Sequence, residues 1–308
     1  MKDQFVQFVL LGFMLVTTVH LRSNRNLYQQ NIIFHGYDAT GRSFTSSLDN
    51  DLTLLQHCII TDNVTIITHG WREESLRSIW ARNMISNFSS VRGGCVFIMD
   101  YEYYSHGSYL SLYSHFKPIT EVLTKKLLQL NRLGFDPVNF FLFGFSFGSH
   151  LVFEGAYQFG PRKVGRIDCC DPAGPLFPEY FGPALHARDS ALFVQCVHTS
   201  SDKGTAARYC PININMGKCG QSQPGSTSRP HLSHGLCPVI YANAFKVDFS
   251  LVPVNQINDY FSVHCKSRKY TPDVRQLPHS TMGFRFNASF PLGEYFALTS
   301  DAAPYNVV

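Results

Sequence analysis

Charge is scarce in this sequence. Lys, Arg, Asp and Glu together make up 16% of 308 residues, against about 25% in an ordinary globular protein. The balance is only +4 with histidine neutral, and no run of Lys or Arg exceeds two residues. That excludes a nucleic-acid footprint and a polybasic membrane anchor. Tryptophan is almost absent, with 2 residues beside 26 Phe. Nine cysteines are too few for a disulfide mini-scaffold,. No C-x-x-C pair occurs among them, so zinc is not expected. Only the N-terminus carries a long apolar run, and internal repeats and low-complexity tracts are missing. What remains is 44% hydrophobic, enough for a sizeable core and too much for wholesale disorder.

The apolar run extends from Phe5 to Val19 behind Lys2 and gives way to His20, Arg22 and Ser23. Its length suits a signal peptide over residues 1–20 and is short of a membrane span. Three N-x-S/T sequons agree with secretion and offer Asn63, Asn87 and Asn287 as glycan acceptors,. Asn63, just ahead of a strand, is the favoured one. In that compartment the nine cysteines read as disulfides plus one odd thiol. Cys210 and Cys219, close together in loop-like sequence, form a candidate local pair.

Short apolar runs bounded by turn residues alternate with helical patterns. Strands are expected at Val64–Thr68, Cys95–Met99, Phe140–Phe143, Gly165–Cys170 and Phe193–Val197,. Apolar residues at helical spacing predict helices over Ser75–Asn87 and Ile119–Leu133,. Such alternation means an α/β fold, with a mostly parallel central sheet and helices on both faces. Thr199 to Pro230 has no periodicity and reads as a long functional loop. From Leu251 onward the pattern suggests strands or a short helix.

Gly144-Phe145-Ser146-Phe147-Gly148 matches G-x-S-x-G. An apolar strand runs into it and a helical pattern (Leu151, Val152, Ala156, Phe159) leaves it, which is the setting the motif requires,. A serine nucleophile needs a base and an orienting acid, in the order Ser, Asp or Glu, His. Asp171 follows the next strand and is the acid candidate; Asp168, inside that strand, is weaker. Six histidines follow, at 186, 198, 231, 234, 264 and 279. Loop position favours His231 or His234.

These residues resemble the pancreatic-lipase family, more closely its insect and phospholipase members. The pieces are Thr68-His69-Gly70-Trp71, the elbow through His150, Asp171-Pro-Ala-Gly-Pro-Leu-Phe177, His198-Thr199, Gln223-Pro224-Gly225 and Ser233-His234. The resemblance spans about Asn63 to Phe245. It implies an α/β-hydrolase fold with Ser146 as nucleophile, Asp171 as acid and His234 as base. It also implies an oxyanion hole from the backbone N–H groups of Trp71 and Phe147. No cofactor or metal is needed for this chemistry, and an expected family carboxylate is replaced by Ala187 in the segment of the family's calcium site. The family usually has His, Leu and Ala where Phe145, Phe147 and Ser149 stand. Its lid-closing cysteines are replaced by Ser226 and Leu232, and the lid is very short.

The expectation is therefore one lipase-type domain over residues 21–308, without a C-terminal β-sandwich domain. It is read as a secreted lipase or phospholipase A1-like ester hydrolase that touches lipid or lipid aggregates transiently. Two alternatives stand beside it: a lipid-binding or storage protein of the yolk-protein type, and a small-ester carboxylesterase.

Overall fold

The computed structural model describes residues 27–177, 183–226, 232–254 and 280–307. The proposed signal segment, His231, His264 and His279 lie outside these residues. The strands are β1 (Ile33–Tyr37), β2 (Ser43–Ser46), β3 (Val64–Thr68), β4 (Cys95–Asp100), β5 (Phe140–Phe145) and β6 (Val164–Cys170). They continue with β7 (Ala191–His198), β8 (Ile212–Met216), β9 (Ser250–Pro253), β10 (Ser280–Thr281) and β11 (Gly293–Ala297). All join one sheet in the order β10-β9-β11-β8-β7-β6-β5-β3-β4-β1-β2. The run from β11 through β8, β7, β6, β5 and β3 to β4 is parallel. β1, β2, β9 and β10 add antiparallel margins. This is the α/β-hydrolase plan.

The five strands expected from apolar runs all form. The centre of the sheet is covered on both sides, so its strands read as continuous hydrophobic segments; all five residues of β3 and all six of β5 are buried. One face meets α5 (Phe116–Arg132) and α6 (Phe147–Phe159); Ile119, Val122, Leu123, Leu127 and Leu130 of α5 are all in that core layer. The opposite face meets α2 (Ile79–Val91) and α7 (Leu232–Asn243), through Trp80, Met84, Phe88, Ile240 and Tyr241. Each such side chain, fully buried, contributes roughly 1.5–3 kcal/mol. Shorter helices α1 (Asp51–His57), α3 (Glu102–Ser105) and α4 (Tyr109–Ser114) fill the connections.

Three expectations change. The helix expected from Ser75 begins at Ile79, because Ser75 is spent in a turn, its N–H and Oγ both donating to Glu102 Oε1. The segment from Thr199 contains β8, whose Ile-Asn-Ile-Asn-Met sequence hides a fully buried strand. Cys210 pairs with Cys196 rather than Cys219; Cys219 is itself disulfide-bonded. Cys58–Cys95 and Cys170–Cys237 are also bridged, and Cys169 is a free, buried thiol. Successive strand residues face opposite sides of a sheet. Cys169 accordingly lies in the core layer of α5 and α6, and Cys170 in that of α2 and α7.

One buried charge was invisible in the sequence. Lys126 of α5 is fully buried, donating to Ser46 Oγ (2.5 Å) and Gln129 Oε1 (3.0 Å) between the rings of Phe34 and Phe97. Burial pushes its pKa down to about 7, since a low-dielectric site disfavours the ammonium.

Candidate active site

Sheet register assembles the site. Phe145 at the end of β5 pairs with Cys170 at the end of β6, and Cys170 pairs with Val197 of β7. The next residues, Ser146 and Asp171, therefore emerge side by side at the carboxyl edge, where parallel α/β sheets carry their sites. The Ser146 N–H donates to Cys170 O at 3.0 Å, and the Asp171 N–H to Val197 O at 2.7 Å.

Ser146 has φ 55° and ψ −120°, a left-handed conformation that costs a non-glycine residue about 1–3 kcal/mol. The strain lifts Oγ off the strand end at the start of α6. Both motif glycines are there for close approach. A Cβ on Gly144 would lie 2.5 Å from Ser149 Cα, and one on Gly148 would lie 2.5 Å from His69 O. Phe147, the first residue of α6, presents an N–H that has no partner within the helix.

His234 sits in the first turn of α7, and the three expected residues come together. His234 Nε2 is 2.8 Å from Ser146 Oγ, and His234 Nδ1 is 2.6 Å from Asp171 Oδ2. An ionised carboxylate only accepts, so Asp171 fixes the proton on Nδ1 and leaves the Nε2 lone pair toward the serine hydroxyl. Asp171 is fully buried. Its Oδ1 accepts from the Thr199 and Ser200 N–H groups at 2.8 and 3.2 Å, and its Oδ2 from Ser200 Oγ. Asp168 has a different duty. It takes a two-pronged contact from Arg166 (2.8 and 2.9 Å) and further bonds from Gln195 and the Tyr241 hydroxyl. It joins β6, β7 and α7 beneath the site. His186 stacks on Tyr157 and contacts Glu154, and His198 is buried against Asn213 and Arg208, so neither reaches Ser146.

The loop after β3 holds Trp71. Thr68 Oγ1 donates to Phe143 O and Gly148 O, the His69 ring stacks on Tyr101 at 4.0 Å, and the Tyr101 hydroxyl donates to His69 O. Burial lowers the His69 pKa and keeps the ring neutral,. Trp71 Nε1 donates to Gly107 O at 2.9 Å. The unusual elbow phenylalanines also find places. Phe145 leans on His234 with ring centres 4.9 Å apart, and Phe147 packs among Tyr109, Phe116 and Phe177 on the other face.

Sequence reasoning missed the Ser200 cradle of Asp171 and the Phe145 wall. Only the neighbouring His198-Thr199 motif pointed toward the first. At one of the two lid-cysteine positions, the Ser226 hydroxyl is hydrogen-bonded to that of Ser233. The sequons diverge. Asn87 is buried, with its amide donating to Ala242 O at 2.8 Å. Asn63 is half-buried and donates to Arg92 O, whereas Asn287 is exposed. A cleft of about 380 Å³ opens over Ser146 and His234, bounded by Trp71, Tyr109, Phe145 and Pro175.

A sequence profile of the family described as "Lipase" matches residues 17–230. Lipase member H of Mus musculus is 23% identical over 285 residues, covering 86% of this chain and 62% of that protein. Lipase member H of Rattus norvegicus is 30% identical over 246 residues, 74% of this chain and 52% of that protein. Phospholipase A1 member A of Rattus norvegicus is 30% identical over 178 residues, 55% of this chain and 37% of that protein. The chain spans about half the length of these relatives.

Proposed function

The chain belongs to the lipase family, and on that premise we propose that it is a secreted serine hydrolase of lipid carboxylic esters, of the lipase or phospholipase A1 kind. The observation that carries this reading is the unbroken chain from Ser146 Oγ through His234 to Asp171, at 2.8 and 2.6 Å, beneath an open cleft.

In this mechanism Ser146 Oγ attacks the ester carbonyl carbon while its proton passes to His234 Nε2. The carbonyl oxygen becomes an oxyanion, held by the Trp71 and Phe147 N–H groups. Collapse breaks the bond to the alcohol, which leaves with the proton from His234. Water then attacks the acyl-serine by the same route and releases the acid. Asp171 keeps the imidazole in the productive tautomer and stabilises its charged form.

Three described disulfides support the secreted reading, since such bonds persist in oxidising compartments,. Among the described residues no helix is long and apolar enough to cross a membrane. Residues 1–20 serve as the signal peptide in this reading and 21–308 as the lipase domain, with Asn287 the favoured glycan acceptor. Labelling with a fluorophosphonate probe tests the reading, together with hydrolysis of phospholipid, triacylglycerol and a short-chain ester. Folded protein that takes no label and hydrolyses none of the three overturns it in favour of a binding protein. Turnover of the short ester alone favours a carboxylesterase.

A further inference from the structure

We infer that the cleft over Ser146 contains a headgroup subsite for a zwitterionic glycerophospholipid, in which Glu73 takes the cationic end and Lys203 the phosphate. The inference rests on the ester-hydrolase reading and narrows its substrate. Glu73 and Lys203 line the same cleft as Ser146 and His234. Neither has an opposite charge to satisfy it among the described residues. The Glu73 carboxylate is fixed by two neutral donors, with Oε2 accepting from Ser78 Oγ at 3.1 Å and Trp80 Nε1 at 3.0 Å. The Lys203 side chain is exposed, while its backbone is anchored by the Gly174 N–H donating to its carbonyl at 2.8 Å.

Among the described residues, the lining of the cleft thus offers one fixed anion, Glu73, and one cation, Lys203, set between apolar walls. A neutral triacylglycerol entering it would strip water from the half-buried Glu73 carboxylate and return nothing,. A headgroup with a net negative charge would match Lys203 but meet Glu73. A phosphate joined to an ammonium or trimethylammonium complements both. Tyr109 supplies one aromatic wall. It lines the cleft, is held by its hydroxyl donating to Pro175 O at 3.0 Å, and abuts Trp71 at 5.5 Å. Repulsion by Glu73 supplies discrimination against anionic lipids, as selectivity generally requires.

The test measures binding in Ser146→Ala protein, where no turnover intervenes. Calorimetric titration uses dihexanoyl phosphatidylcholine and dihexanoyl phosphatidylglycerol, both below their micelle concentrations. The choline lipid is expected to bind about tenfold more tightly. Adding Glu73→Gln, which keeps an acceptor for Ser78 and Trp80, erases that preference. Adding Lys203→Met weakens both lipids by about tenfold. Equal or undetectable binding of the two lipids overturns the subsite, as does a preference that survives Glu73→Gln or affinities unmoved by Lys203→Met. Turnover of a soluble short-chain ester by the unmodified protein reads the hydrolase proposal separately. Turnover without headgroup preference removes only the subsite; preference without turnover removes only the hydrolase reading.

Discussion

Cys170 and Cys237 are joined by a disulfide with Cα atoms 5.7 Å apart, across a sequence separation of 67 residues. Cys170 immediately precedes Asp171, and Cys237 lies one turn beyond His234 on α7. The bond therefore clamps the helix carrying His234, the proposed base, to the strand that leads into Asp171, the proposed acid. Replacing both cysteines by alanine is expected to cost about 2–5 kcal/mol of stability, read by urea denaturation. Ester turnover should fall in protein that is still folded, because α7 loses its tie to β6. Unchanged turnover would make the bond a fold stabiliser alone.

The two aspartates of the β6 segment should fail in different ways. Asp171→Asn should lower kcat by roughly 10⁴-fold by presenting the wrong histidine tautomer, with a near-normal melting temperature. Asp168→Asn leaves the half-buried Arg166 without its counter-ion and should cost about 3–5 kcal/mol of stability. Kinetics paired with thermal melts separates them. The opposite pattern would exchange their roles.

Gly148→Ala tests the oxyanion side. The new Cβ would press on His69 O at 2.5 Å and Thr68 O at 2.8 Å, both backbone atoms that lead to Trp71. A loss of roughly 10²-fold or more in kcat is expected, the usual cost of one oxyanion donor. A fluorophosphonate labelling rate equal to that of the unmodified protein would contradict it.

Lys126 sets a pH dependence of stability. Its pKa falls to about 7 on folding from an ordinary 10.5, so between these values the unfolded chain binds more protons. Stability then rises with pH across that window, and the cost of burying the ammonium is fully present below about pH 7,. Melting temperatures from pH 7 to 10 should climb more steeply in the native protein than in Lys126→Met. Parallel curves would mean that Lys126 stays charged in the fold.

The central strands and the elbow were legible because their signals are local. An apolar run bounded by turn residues specifies a buried parallel strand, and G-x-S-x-G needs only its flanking elements. β8 was illegible for the converse reason. Its Asn213 and Asn215 are buried because Cys210 O, His198, Arg208 and Tyr295 O satisfy them across the fold. The Cys196–Cys210 pair was missed likewise, since it is set by where β7 ends up rather than by spacing. Residue chemistry left His231 and His234 level, and the family resemblance favoured His234. Asn87 looked like any sequon until α2 turned it toward α7.

The free thiol of Cys169 offers a clock. Its neighbour Cys170 is oxidised, yet the two sulfurs lie on opposite sides of the sheet, and burial raises the Cys169 pKa well above that of an ordinary thiol. Thiol–disulfide exchange between them requires β6 to leave its place between β5 and β7. The rate at which a thiol reagent captures Cys169 therefore counts the openings of the layer between the sheet and α6, and scrambled isomers can accumulate only as fast as β6 itself comes free.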